Sequence, residues 1–236
     1  MKKAFVSGAG GGLGGACVAA LRRAGYSVVG TDIRSGPWES LCTPVVGEIG
    51  DPQWAELVNS ALQEGCDLAV AAHGIEGTGA FRTLTVERLK QVMVVNFESM
   101  VTVFETVRNT VRQRSGAFVA ISSQAGLQGE PASAAYCASK FAVIGWMRGL
   151  VNVEPDIRLR TLCPGATATN LLRSAFEGMA SAEGITYEDI VSRRSAAVPV
   201  GRLGIPAEIG AGALWLGELQ TSSHVTGLVS GGEVRL

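Results

Sequence analysis

The chain has 236 residues, 47% of them hydrophobic and only 17% charged, a balance that excludes intrinsic disorder and suits a sheet buried on both faces. A net charge of −1 without any basic run argues against nucleic acid or an anionic membrane surface as a partner, and no apolar run reaches the ~18 residues of a membrane span. The five scattered cysteines (Cys17, Cys42, Cys66, Cys137, Cys163), with no C-x-x-C pair and two histidines, suggest no metal site and point to free thiols in a reducing cytoplasm.

In chain order, Lys3 to Ser7 reads as a strand, Gly12 to Ala24 as a helix and Ser27 to Thr31 as a second strand, the β-α-β order of a parallel sheet. Two lysines ahead of a mildly apolar stretch imitate a signal peptide, but six glycines between Gly8 and Gly15 spoil its apolar core. The short, proline-bearing connection that follows predicts a poor helix. Val45 to Ile49 is a third strand, Pro52 to Gln63 an amphipathic helix and Asp67 to Ala72 a fourth strand. Thr85 to Arg112 reads as one long helical tract with Asn96 in its middle. Ala117 to Ser122 is a strand, Ala132 to Val153 a helix, and Arg158 to Leu162 a strand stopped by Pro164 and Gly165. Residues 167–204 mix small, charged and apolar residues without a clear element, as expected of a substrate lid. Pro206 to Leu216 reads as a helix and Gly227 to Ser230 as the last strand. With no repeat or linker, a single α/β domain is expected.

Directly after the first strand, "SGAGGGLG" places Gly8, Gly12 and Gly14 at the spacing G-x-x-x-G-x-G as a helix opens. Glycines there let a pyrophosphate approach the helix N-terminus, where free N–H groups and the helix dipole favour negative charge. Asp32, at the end of the second strand, stands where an acid accepts hydrogen bonds from ribose hydroxyls and repels a 2′-phosphate, predicting NAD over NADP. Arg34 is the counterweight, since a guanidinium there could hold that phosphate.

Further on, "YCASK" sets Tyr136 and Lys140 four apart, one above the other on a helix. With these motifs in hand the sequence resembles the short-chain dehydrogenase/reductase family over essentially its whole length. The family's Thr-Gly-x-x-x-Gly-x-Gly matches residues 7–14 with Ser7 in place of threonine, and its Tyr-x-x-x-Lys matches Tyr136 and Lys140. Its serine thirteen residues before the tyrosine matches Ser123, its helix asparagine matches Asn96, and its Pro-Gly-x-x-x-Thr matches Pro164 to Thr169.

The resemblance implies a Rossmann-like, doubly wound parallel sheet of about seven strands and an NAD(H)-dependent interconversion of a secondary alcohol and a ketone. Tyr136 is then the general acid/base, Lys140 favours its phenolate and holds the nicotinamide ribose, Ser123 binds the substrate oxygen, and Asn96 holds a relay water. Ser122 points away and is structural. Cofactor contacts are implied for Ser7, Gly8, Gly12, Leu13 and Gly14 in the loop, Asp32 and Ile33 at the ribose, and Glu48 and Ile49 beside the adenine. Ala72, Gly74, Pro164, Gly165, Thr167 and Thr169 are implied toward the nicotinamide. A homo-oligomer, tetramer or dimer, is implied as well.

Three departures qualify this. "AAHG" puts Ala72 where the family has a sheet-bracing asparagine and His73 in the next place, where it either touches the ribose, titrates or serves as a hydrogen-bonded structural histidine. "VSGG" replaces the usual Val-Asp-Gly-Gly, and Glu48 with Ile49 replaces Asp-Val. Gly11 stands where NADPH-using relatives often carry a basic residue. For the small-molecule substrate, Leu127, Leu171, Leu172, Phe176 and Met179 suggest a greasy wall, and Gln124, Gln128, Glu130 and Arg173 suggest groups able to bind hydroxyls or a carboxylate. Two rivals stay open: a non-catalytic NAD(H)-binding sensor or structural subunit, and an NADPH-dependent 3-oxoacyl thioester reductase.

Overall fold

Short apolar runs such as "LAVA" and "AFVAI" are buried at every position, which is possible only for strands covered on both faces. The computed structural model describes residues 1–77, 84–130, 133–221 and 224–234. Its strands are β1 (Lys3–Ser7), β2 (Ser27–Asp32), β3 (Thr43–Val46), β4 (Leu68–Ala71), β5 (Ala117–Ile121), β6 (Arg158–Pro164) and β7 (Val225–Val229). They form one seven-stranded sheet in the order β3-β2-β1-β4-β5-β6-β7, parallel throughout.

One face is covered by α2 (Pro52–Ala61), α4 (Ser99–Gln113) and α5 (Ala134–Gly149), with Trp54, Phe104 and Met147 packed against Phe5 and Phe118. On the opposite face α1 (Gly12–Arg23) and α8 (Pro206–Glu218) bury Cys17, Leu21, Ile209 and Leu216 against Val6, Val28 and Val119. The chain runs outward from β1 through β2 to β3, then crosses back to β4. That reversal opens a crevice at the carboxyl ends of the strands, the place where ligands of doubly wound sheets bind. The expected Rossmann-like single-domain fold is the one observed.

Three local expectations change. The long tract of residues 85–112 is not continuous: α3 (Val86–Met93) passes into a π-helical turn, Val94–Glu98, before α4 begins. The connection after β2 is a poor helix as expected, the 3-10 turn Pro37–Leu41, but β3 starts two residues earlier than expected and ends at Val46, so Glu48 and Ile49 lie beyond its end. Residues 167–204, read as irregular, hold two helices, α6 (Asn170–Glu183) and α7 (Tyr187–Ala197), with their own small core of Phe176, Ala180 and Ile190. Their boundaries follow ordinary capping chemistry: Thr169 accepts from Leu172 N, Gly184 closes α6 at φ +68°, and Thr186 and Asp189 form a capping box.

Candidate active site

The glycine loop is shaped by contacts that only glycine permits. Gly8 has φ +70°, and a Cβ on it would lie 2.8 Å from His73 Cα; a Cβ on Gly14 would lie 2.0 Å from the Gly8 carbonyl oxygen. α1 begins with Gly11 as N-cap and no side-chain bond to its first turn, which leaves N–H groups facing a cleft. This cleft, about 430 Å³, is lined by residues 10–13, Asp32, Ile33, Glu48, Ile49, His73, Gly74, Tyr136 and Lys140 among others. Its elongated path, from the acid after β2 over the helix N-terminus to Tyr136, fits a dinucleotide: anion-binding N–H groups lie midway and a carboxylate at the ribose end.

Most of the residues expected at the cofactor stand in this wall. Ser7 and Gly14 lie behind it, and Pro164, Gly165 and Thr167 line a second cleft of about 430 Å³ that adjoins it. Asp32 is partly engaged already, since its carboxylate accepts from Gly10 N at 3.0 Å and Arg34 N at 3.3 Å, which ties the turn after β2 to the glycine loop. Trp38 Nε1 donates to the Arg34 carbonyl and braces the same turn. Thr169 spends its hydroxyl capping α6, with its methyl group close against Gly12. The Thr167 hydroxyl donates to the Gly165 carbonyl.

His73 answers for the missing asparagine at position 72. Ser99 Oγ donates its one proton to the Val95 carbonyl, so it accepts from His73 Nε2–H at 2.8 Å; His73 Nδ1 is left bare and accepts from Ser7 Oγ at 2.6 Å. Ser7 Oγ in turn accepts from Ala72 N. The imidazole therefore links the ends of β1 and β4 to the start of α4 as a neutral ring, and burial, with the Lys140 charge adding to it, pushes its pKa down to about 3. Of the readings open in the sequence, the hydrogen-bonded structural one is observed and titration near neutrality is not, while the ring also lines the cleft.

Ser123, Tyr136 and Lys140 meet where the two clefts join. Ser123 follows β5 and caps the 3-10 turn Gln124–Gly126, while its neighbour Ser122 turns inward to bond the Lys140 carbonyl at 2.9 Å. Tyr136 and Lys140 sit one turn apart on α5, with Nζ 5.6 Å from the phenol ring centroid. Lys140 is 4% exposed and donates to the Ile121 carbonyl at 3.1 Å. Burial pushes its ammonium down to about 8. Burial also pushes the Tyr136 phenol up to about 12, opposed by hydrogen bonding with Ser123 and reinforced by the nearby Glu130 charge. The sequence expectation is that Lys140 and the cationic nicotinamide ring together favour the phenolate; in the chain by itself desolvation of the phenolate dominates.

Asn96 lies in the π-helical turn with every polar atom engaged. Its Oδ1 accepts from Ile75 N at 2.8 Å, and its Nδ2 donates to the Ile75 carbonyl at 3.0 Å and Ser139 Oγ at 3.1 Å. Its side chain thus fixes the strand-to-loop exit of β4 against α5, as a buried asparagine in a bent helix should.

The second cleft runs from Tyr136 to α6 and α7, lined by Leu171, Leu172, Phe176 and Met179 and by Gln124 and Glu130. Leu127, Gln128 and Arg173 are not in its wall; Arg173 pairs with Glu177 on the surface of α6. Glu233 was missed in the sequence. It reaches Gln124 from the segment after β7.

A profile of the short chain dehydrogenase family matches residues 2–180. The chain belongs to the short-chain dehydrogenase family. It is 30% identical to an acetoacetyl-CoA reductase of an Acinetobacter species over 96% of this chain and 94% of that protein. In fold it is similar to ligand-free aldohexose dehydrogenase from Thermoplasma acidophilum, with a TM-score of 0.88 at 22% identity over 98% of this chain and 93% of that one. A variant of actinorhodin polyketide ketoreductase solved with NADPH gives a TM-score of 0.88 at 24% identity, covering 98% and 97%. Membership makes the chain an oxidoreductase that takes a nicotinamide cofactor and a small-molecule substrate. Among the described residues no helix is long and apolar enough to cross a membrane.

Proposed function

We propose that this short-chain dehydrogenase interconverts a secondary alcohol and a ketone with NAD(H), using Tyr136 as general acid/base. The observation that carries the reading is the meeting of Ser123, Tyr136 and Lys140 at the junction of a dinucleotide-shaped cleft and a largely apolar one. When bound, the nicotinamide supplies or accepts the hydride. The protein's part is to hold the substrate oxygen between Ser123 Oγ and the Tyr136 hydroxyl, and to pass one proton between that oxygen and the phenol. A phenol with a pKa of about 12 is well placed to stay protonated and to donate when a ketone is reduced. For oxidation it must ionise, and the positive charges of Lys140 and of the oxidised cofactor favour that.

In this proposal Asp32 sets the preference for NAD, and α6 with α7 forms the wall that covers the substrate. The engaged Asn96 amide supports a positioning role, its relay water being a further element of the proposal. Exposed Val94 and Phe141, on the helical layer α3 to α5, support burial against a second copy in a homo-oligomer. The free cysteines, four of them buried, suit a reducing cytoplasm.

A second reading, reduction of a 3-oxoacyl thioester with NADPH, is supported by the likeness to the acetoacetyl-CoA reductase. Initial rates with NADH and with NADPH across ketones, keto-sugars, steroids and 3-oxoacyl thioesters separate the two. Turnover of simple ketones with NADH supports the first, and turnover confined to thioesters with NADPH supports the second. Tight NADH binding without turnover would favour a sensor instead.

A further inference from the structure

The cleft beside Tyr136 has two unlike walls, and their role in recognition rests on the oxidoreductase reading, which puts the substrate between them. On the α6 side Leu171, Leu172, Ala175, Phe176 and Met179 are apolar; across from them stand Gln124, Glu130 and Arg194.

Around this cleft the other carboxylates are matched by cations. Glu76 pairs with Arg88 at 3.0 Å, Glu183 with Arg193 at 2.7 Å, and Glu233 with Arg194 at 3.3 Å. Among the described residues Glu130 has no ion-pair partner; its carboxylate is held by Gln124. That glutamine is 2% exposed, and its single amide nitrogen donates to Glu130 Oε1 at 2.9 Å and to Glu233 Oε2 at 3.0 Å. Only the NH2 end of an amide can face two carboxylates, so the orientation is fixed, and the amide oxygen lies beside Gly165 without a partner. The backbone of Glu130 is pinned too: its N–H donates to Cys137 Sγ at 3.3 Å, and its carbonyl accepts from Ser133 N at 3.3 Å. The result is a preorganised negative charge in the same cleft wall as Tyr136.

We propose that Glu130 is a specificity-determining residue, a charge filter that favours neutral substrates with a hydrogen-bond donor at the end facing Gln124 and rejects those carrying a free carboxylate there. Arg194 shares this wall and is paired through one terminal nitrogen with Glu233 at 3.3 Å, its Nε having no hydrogen-bond partner among the described residues; with Glu130 and Glu233 against the one guanidinium, the excess charge on this side is negative. The apolar α6 wall receives the rest of the molecule, which makes the preferred substrate amphipathic: a hydrocarbon body with a hydroxyl or amide N–H at one end.

The test uses the full chain with NADH and three small ketones of one skeleton: acetoacetate, its methyl ester and 4-hydroxybutan-2-one. The kcat/KM of each ketone is measured for wild type and Glu130→Gln, and the Kd of each ternary complex is read from quenching of NADH fluorescence in both backgrounds carrying Tyr136→Phe, so that the NADH is not consumed. A charge fixed in a partly dry cleft predicts that wild type prefers the hydroxyketone over acetoacetate by about tenfold or more, and that Glu130→Gln narrows the gap to about threefold. Glu130→Asp should restore part of the discrimination. The variant should also shift the basic limb of the pH profile to lower pH, since a negative charge near Tyr136 is gone; a purely structural role would not move it. Equal or better use of acetoacetate by wild type would give the wall to Arg194 and overturn the proposal, as would an unchanged gap in Glu130→Gln. Discrimination in Kd without any turnover would count against the oxidoreductase reading and leave the filter standing. Equal Kd values, or no binding by any of the three, would overturn the filter itself.

Discussion

Lys140 is predicted to weaken the fold it serves. Its ammonium is buried, with one carbonyl partner, and burial moves its pKa from the ordinary 10.5 to about 8. At 1.4 kcal/mol per tenfold, that depression corresponds to about 3 kcal/mol of destabilisation whenever the group is charged in both states. Replacing it by methionine in Lys140→Met removes the charge and keeps most of the volume, but strands the Ile121 carbonyl at a cost of about 1 kcal/mol. A net gain of about 2 kcal/mol remains, which for a chain of this size is a rise in Tm of about 4–8 °C at pH 7. The sign follows from proton counting. Below pH 8 the lysine is charged in the folded and unfolded chains alike, and the full penalty applies. Between 8 and 10.5 the unfolded chain holds a proton that the folded one has shed, so the stability of wild type rises with pH. Above 10.5 the penalty is gone while the stranded Ile121 carbonyl remains, so the gap closes and then reverses, wild type ending about 1 kcal/mol the more stable. The difference between two melting curves recorded from pH 6 to 11 reads Lys140 together with its electrostatic coupling to His73 and Cys163. A variant no more stable than wild type at pH 7, or a gap that does not close with pH, would refute the argument.

Asp32→Ala should lower the preference for NADH and raise the NADPH to NADH ratio of kcat/KM about tenfold or more, through loss of a 2′-phosphate repulsion beside the exposed Arg34; adding Arg34→Ala should erase most of that gain, and an unchanged ratio would remove Asp32 from the ribose. His73 should give no ring titration by NMR between pH 5 and 8, because protonation would break its bond from Ser7 and place a second charge near Lys140. His73→Ala should lower stability by about 1–3 kcal/mol by taking the acceptor from the Ser7 hydroxyl and breaking the link to Ser99; a normal titration near 6.5 would contradict the network.

Much of this was legible in the sequence because its physics is local. Fully buried strands leave uninterrupted apolar runs, a glycine loop after a strand announces a helix N-terminus, and residues four apart on a helix must meet. Other features depend on partners distant in sequence. The π-helical turn at Val94–Glu98 preserves the apolar period on both sides, so nothing in the pattern marks it, although it is what swings Asn96 onto Ile75 and Ser139. In residues 167–204 the caps Thr169, Gly184, Thr186 and Asp189 were readable. The helices they bound pack mainly on each other, so their apolar period is weak and the segment reads as irregular. Glu233 carried no signal, because its meaning depends on Gln124 across 109 residues. The tyrosine–lysine pair was found by spacing, but the direction of the phenol's pKa was not, since burial and not the neighbour dominates it.

The central claim is that the Tyr136 phenol moves the proton. The most direct test pairs wild type with Tyr136→Phe, measuring turnover on the best ketone and the NADH Kd on the same preparations. The account predicts a loss of about a thousandfold or more in kcat, the scale of a lost general acid, with Kd within about threefold of wild type. Substantial turnover by the phenylalanine variant would contradict it.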